Sequence, residues 1–393
     1  MDKIDDFDLA NTKLVLRFVD RDFSRYILFI PLFKFSKSFL KLEDKFSFYL
    51  RLNYKSKKFP VHKIANLITN LICCGVDRFV RMDDEYRIEK GLAKSLGFFE
   101  GFPTSDTIYR FLKAFSGFNV NQLERVNLEI LKEQKNRWFP ATGSVFIDLD
   151  MNTKSVEGKK IQKAALGYNR KNPGRLSLNW TVGHISKIAL FSQLHPGITG
   201  GSIVLKNQVK RIEGLIRKLN LNLQSHRFVW RVDGGYFSWN NLIFLNKRKF
   251  ITRIKVNLKL LKPYLKDKKV FNNLVWQKYT KASYYTDLGE VNFPECKLYF
   301  RVVLVKTYKG KKRGKHKILL YPLCTNLFDW KAKSIVKAYR GRQIVENCFR
   351  DTNQAFYSNK LPSSTFHGNQ AFLWFIVLAY NLFFFFQKFQ SPN

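Results

Sequence analysis

Four carboxylates in a chain crowded with cations carry the first chemical signal. Asp148 and Asp150 close the segment SVFIDLD, and Asp233 follows the apolar run FVWRV. Glu346 sits within AYRGRQIVENCFRDTN, the stretch from Ala338 to Asn353. Carboxylate oxygens are hard ligands. Three of them, converging, hold two Mg²⁺ ions about 3.5–4 Å apart, where the ions clamp the attacking and leaving oxygens of a phosphodiester. Each acid also has a plainer reading. An Asp at a strand end caps a turn, Asp-Gly is itself a common turn, and Glu346 with Arg350 is an i,i+4 pair on a solvated face. No Gly-rich phosphate loop, Ser-His-Asp order or HExxH motif offers a different chemistry.

The segments that must position these acids have readable periods. Ala338, Val345 and Phe349 recur at spacings of seven and four, which predicts one amphipathic helix over Ala338–Asn353. On that helix Tyr339, Arg342, Glu346, Arg350 and Asn353 share a stripe beside the apolar one. SVFIDLD alternates as a strand, with Phe146, Asp148 and Asp150 on one face and Val145, Ile147 and Leu149 on the other. A basic loop, Lys154 to Arg175, separates it from two further strands, LSLNWTVGHIS and KIALFSQL, and from a helix over Ile203–Leu219. The strand Phe228–Val232 is apolar apart from Arg231. The glycines after Asp233, Gly234 and Gly235, let a phosphate backbone come close.

Outside this frame the pattern changes twice. Residues 1–140 read as mostly helical, with one helix over His62–Met82 and another capped by Thr104 or Ser105. The Gly97–Gly101 loop before that cap fits either a helix-turn-helix or two packed bundle helices. Tyr109, Arg110 and Lys113 follow on the second helix. From Phe250 to Asn326 the chain reads as strands and is very basic. It ends in a hairpin whose turn, Lys309 to Lys317, either tracks a nucleic-acid backbone or is a solvated turn.

Composition narrows the class. Lys and Arg number 69 against 30 acidic residues, a formal charge of +39 spread along the chain. Such a surface draws polyanions, nucleic acid first and anionic membrane second. The five cysteines have no CxxC spacing, which argues against a disulfide framework or a zinc site and for a reducing, cytoplasmic setting. The N-terminus MDKIDDFDLA has no apolar core and is not a signal peptide. The apolar run Ala371–Phe386 carries Asn381 and is short for a span, so it is expected to be a core helix.

These residues resemble the DDE transposases of bacterial insertion sequences, in the branch with a Tyr-x2-Arg-x3-Glu-x6-Lys signature. Tyr339, Arg342 and Glu346 match within YRGRQIVE; FIDLDMNTKSVEGKK, RVDGGYFS and LPSSTFHGNQAFLWFIVLAYNL support the match. The resemblance covers roughly residues 60 to 386. It implies an α/β fold: an RNase H-like catalytic core in two parts, 141–250 and 329–393. A basic β-strand insertion, 251–328, would lie between them, and a helical DNA-binding domain, 1–140, in front. It implies Asp150, Asp233 and Glu346 as ligands of two Mg²⁺ ions, with Mn²⁺ able to substitute, and Tyr339 and Arg342 on phosphates of the element end. Asp148 is the rival for the first ligand; Asp150 is preferred because Gly158 follows it at the family's distance. Where the family has its final Lys this chain has Asn353, and Arg350 is the candidate to supply that cation. The implied activity is endonucleolytic cutting at element ends and joining of the 3′-hydroxyl to target DNA by a homodimer in a synaptic complex, at the bacterial nucleoid. An RNase H-like nuclease, or a domesticated or inactive transposase that only binds DNA, is the alternative.

Overall fold

A computed structural model of the chain describes residues 26–390, except 57, 85–88, 159, 170–171, 223–226, 266 and 313–314. Ten strands form one mixed sheet. They are β1 (Val145–Ser155), β2 (Ala165–Leu166), β3 (Leu176–Ile185), β4 (Ile188–Pro196), β5 (Phe228–Val232), β6 (Phe250–Arg253), β7 (Gln277–Thr280), β8 (Ser283–Phe293), β9 (Leu298–Lys312) and β10 (Lys315–Thr325). The order is β2-β3-β1-β5-β6-β10-β9-β8-β7, with β4 paired to β3. Strands β1, β3 and β4 are antiparallel neighbours, whereas β5 runs parallel to β1 and β6 parallel to β5. The later strands are not a separate sheet: β10 pairs antiparallel with β6 and carries β9, β8 and β7 outward.

Seven helices frame the argument: α1 (Val61–Cys73), α2 (Ser105–Lys113), α3 (Gly117–Glu133), α4 (Gly201–Lys218), α5 (Ala332–Arg340), α6 (Gln343–Gln354) and α7 (Phe366–Gln390). The apolar C-terminal run extends further than expected, because polar residues at both ends prolong α7 to 25 residues. By length and composition α7 is the one helix among the described residues able to cross a membrane. It lies in the core instead, packed by α1, α2, α3 and β4. Its Asn381, fully buried, donates to Asn127 Oδ1 (2.8 Å) and to the Ala189 carbonyl (2.8 Å), and accepts from the Ala189 amide (3.0 Å). A buried amide so paired costs little and fixes one register of α7 against α3 and β4.

The helix after the Gly97–Gly101 loop, α2, packs into the core against α7. Thr104 caps α2 through its hydroxyl to the Thr107 amide, and Ile108, Phe111 and Leu112 enter the core beside Phe375 of α7. The helix expected over His62–Met82 stops at Cys73, because Gly75 takes a left-handed turn (φ +77°) that other residues resist. The strand expected from Phe250 ends at Arg253. Residues 259–265 and 268–273 then form short helical turns, the last of them capped by Asp267 on the amides of Lys269 and Val270. The tip of the basic hairpin, residues 313–314, lies outside the described residues.

The two faces of the sheet carry different cores. Val229, Ile251, Val303, Val305 and Leu323 meet Ile335, Val336 and Ala338 of α5 on one face. Trp230, Phe250, Val302 and Leu304 belong to the larger core on the other, which includes α7. Strand alternation therefore places Phe146, Asp148, Asp150, Arg231 and Asp233 on the α5 side.

Candidate active site

Parallel pairing brings the acids together. Asp148 stands beside Arg231 and Leu149 beside Val232, so one register step further Asp150 comes level with Asp233 as β5 ends. Asp233 then opens the short turn Gly234–Tyr236. The two carboxylates thus leave neighbouring strands at the same level and on the same face.

The pair before them has a different task. Asp148 is fully buried and accepts two hydrogen bonds from Arg231, from Nε at 2.7 Å and Nη2 at 2.5 Å. Arg231 also donates through Nη1 to the Ala338 carbonyl (2.5 Å) near the end of α5. Burial raises the Asp148 carboxyl above its ordinary range, against the pull of Arg231. Both oxygens of Asp148 are engaged by one guanidinium, so it acts as a strut between β1, β5 and the end of α5.

That strut explains one departure. The helix expected to run unbroken from Ala338 to Asn353 is interrupted at Gly341–Arg342, between α5 and α6. A Cβ on Gly341 would stand 2.6 Å from Arg231 Nη1 and 3.2 Å from the Ala338 oxygen. Only glycine leaves room for the guanidinium that caps α5. The break is tight, with the Arg342 amide still bonded to the Tyr339 carbonyl (3.1 Å), so both side chains stay near the acids.

Arg342 sits among the carboxylates. Its side chain is 6% exposed; Nη2 lies 2.8 Å from Asp150 Oδ1 and Nη1 lies 3.3 Å from Glu346 Oε1. Burial alone would lower the Arg342 pKa, but Asp150, Tyr339, Asp233 and Asp148 more than reverse this, so it stays charged. Its Nε has no protein acceptor among the described residues. Tyr339 donates to Asp233 Oδ1 at 3.4 Å, and burial, opposed by Arg342, keeps its phenol protonated. Burial pushes the Asp150 carboxyl up to about 6, with Arg342 acting against that and Asp233 adding to it. Glu346 projects from the outer side of α6 and its side chain is 63% exposed, while Val345, Cys348 and Phe349 of the same helix are buried.

Asp150, Asp233, Tyr339, Arg342 and Glu346 are thus brought to one place. Arg350 is not: it is exposed, and its nearest charged partner is Asp351 at 3.5 Å. Another cation approaches position 353. Lys154 is not in a loop, as expected, but in β1, 1% exposed, with Nζ donating to Asn353 Oδ1 (2.6 Å) and Ser358 Oγ (2.8 Å) and lying 4.7 Å from the Trp180 ring centre. Lys154 and Arg231 are the two site residues that the sequence reading missed. The period-two pattern that selects Asp148 and Asp150 also places Lys154 on their face, and Arg231 is the one charge in an apolar strand.

The sequence matches the family described as transposase DDE domain group 1 over residues 31–393. The chain belongs to that family. Membership agrees with the transposase resemblance drawn from YRGRQIVE and its companions. Among solved structures the chain is similar to the cryo-EM structure of a piggyBac transposase synaptic complex with hairpin DNA. Identity there is 11%, coverage is 92% of this chain and 74% of that one, and the TM-score is 0.43. No curated protein matches.

Against the family's chemistry, the donors of this transposase-family chain are all hard oxygens. Among the described residues, however, no three acids stand close enough together to form a ready-made metal cage. The Arg342 guanidinium lies between Asp150 and Glu346 in their place. The donor set fits Mg²⁺ by type, all its members being carboxylate oxygens.

Proposed function

We propose that this chain is a transposase that cuts phosphodiester bonds at the ends of an insertion sequence and joins the freed 3′-hydroxyl to target DNA. The observation that carries the reading is the convergence of Asp150, Asp233 and Glu346 around Arg342 in a chain of the transposase DDE family. In this reading the strand order β4-β3-β1-β5-β6 is an RNase H-like core, and β7 to β10 are its insertion.

Asp150, Asp233 and Glu346 would hold two Mg²⁺ ions, which when bound lower the pKa of an attacking water and stabilise the leaving oxygen. The rest of the work falls to the chain's own side chains. Tyr339, kept protonated by burial, has one O–H, which rests on Asp233 and turns to a phosphate beside the cut, where Arg342 donates too. Arg342 neutralises the crowded acids until a phosphate or cation takes its share of that charge. Asp148 and Arg231 hold the end of α5 so that Tyr339 and Arg342 keep their places. The excess of cations over the whole chain favours DNA as the partner, with binding that weakens steeply with salt. Two chains in a synaptic complex would bring two ends together.

The test is a plasmid assay with an element carrying its own ends. The reading expects strand-transfer products. Cut ends without joining would instead favour the RNase H-like nuclease. Binding with no cutting would favour an inactive copy, the alternative that Asn353 at the Lys position leaves open.

A further inference from the structure

Next to the carboxylates lies a cleft of about 640 Å³, within the range of sites that enclose a small ligand. Its wall is the far half of β1, Asn152 to Ser155, with Val156 after it, and it is closed by Asp77–Phe79, Arg175, Asn353 and the turn at Asn359–Pro362. Asn152 and Lys154 continue the face of Asp150, so the cleft begins where the acids end and reaches roughly 13 Å further along the strand.

The charge of this cleft is cationic. Arg78, Lys154, Arg175 and Lys360 line it, against Asp77 and Glu157. Asp77 is already held by Lys360 (2.5 Å) and Arg81 (3.0 Å). Arg78 and Arg175 are exposed, with no carboxylate partner among the described residues. At the inner end, Asn353 has a fixed orientation. An ammonium can only donate, so Lys154 must meet the amide oxygen, and the Ser358 hydroxyl donates to the same atom (2.7 Å). The Asn353 Nδ2 group, with no protein acceptor among the described residues, is left to donate into the cleft.

We propose that this cleft seats the phosphodiester backbone of the DNA strand that continues past the reaction centre, with Arg78, Arg175 and Asn353 Nδ2 as its donors and Lys154 orienting Asn353. This rests on the transposase reading. Fixed donors along one wall, continuous with the acids and backed by unpaired guanidinium groups, are what a polyanion of regular spacing requires.

The experiment measures binding of a fluorescent duplex carrying the element's end, by anisotropy across a KCl series without divalent ions. Arg78→Ala/Arg175→Ala should lower the slope of log Kd against log[KCl] by roughly 1.8, the share of two phosphates on a duplex. Lys206→Ala/Lys210→Ala, on the exposed side of α4 and away from the cleft, should leave the slope nearly unchanged. Asn353→Asp, whose carboxylate still accepts from Lys154 and Ser358, should weaken binding about tenfold at an unchanged Tm. Two neutral methylphosphonates in the strand past the cut should mimic the arginine loss in wild type and add nothing to it in the double variant. An unchanged slope in the arginine variant, or an equal drop in the α4 control, would overturn the cleft while leaving the transposase reading intact. No salt-dependent binding by wild type would overturn both.

Discussion

Asp148 and Arg231 face each other across the parallel strands β1 and β5, joined by two hydrogen bonds of 2.7 and 2.5 Å in a place closed to water. Two residues further along the same strands stand Asp150 and Asp233. The strut and the proposed ligands are therefore neighbours with opposite demands: one pair must stay closed and the other must open to a cation.

Removing one member of the closed pair leaves a buried charge alone. Asp148→Ala is expected to lower unfolding stability by about 3–5 kcal/mol. Asp150→Asn should cost less than about 1 kcal/mol, because burial already disfavours its charged form, yet should abolish cutting. Urea unfolding of both variants, beside a cleavage assay, checks the division of labour. Equal destabilisation by the two would contradict it.

Gly341 is expected to be intolerant for a reason local propensity would not suggest. Alanine favours helices, but here its Cβ would press on an Arg231 already pinned by Asp148. Gly341→Ala should destabilise by about 1–3 kcal/mol and slow cutting, since Arg342 is the next residue. A neutral or stabilising effect in the same urea titration would show that the guanidinium can move aside.

The buried histidine of β3 sets an acid limit. His184 is fully buried, neither ring nitrogen has a protein partner among the described residues, and burial lowers its pKa from 6.5 to about 3. The folded chain thus binds this proton later than the unfolded chain does. The contribution of neutral His184 is fully present above about pH 6.5 and is lost as pH falls from there towards 3, at up to about 1.4 kcal/mol per pH unit. His195, lowered to about 4 by burial, adds a parallel loss. Stability measured from pH 7 to pH 4.5 should fall with nearly one proton less dependence in His184→Phe; identical profiles would exclude this cause.

Much of the site was legible because strand alternation needs no tertiary information. SVFIDLD, read with period two, already put Asp148 and Asp150 on one face, and the apolar spacing of Val345 and Phe349 gave the buried side of α6. What escaped reading depends on partners distant in sequence. The break at Gly341 is made by Arg231, arriving from another strand. Lys154 reads as the start of a basic loop until Asn353, Ser358 and Trp180 gather around it. That Arg231 engages Asp148 and not Asp150 is equally invisible in the sequence, because it depends on the pairing of β1 with β5. Between the strand-like segments FITRIKVNL and LVWQKYT the basic, apolar mix has no strong period; Asp267 and the turns around it make 259–265 and 268–273 helical.

The measurement that tests the central claim most directly is cleavage of linear DNA carrying the element's own ends, with Mg²⁺ or with EDTA, by wild type and by Glu346→Gln. Glu346 is exposed and pairs with Arg342 only at 3.3 Å, so its loss should spare the fold. Cuts at the ends that require Mg²⁺ and disappear in Glu346→Gln are the predicted result. Cutting that survives in EDTA, or that Glu346→Gln performs as well as wild type, would contradict a catalytic centre built on Asp150, Asp233 and Glu346.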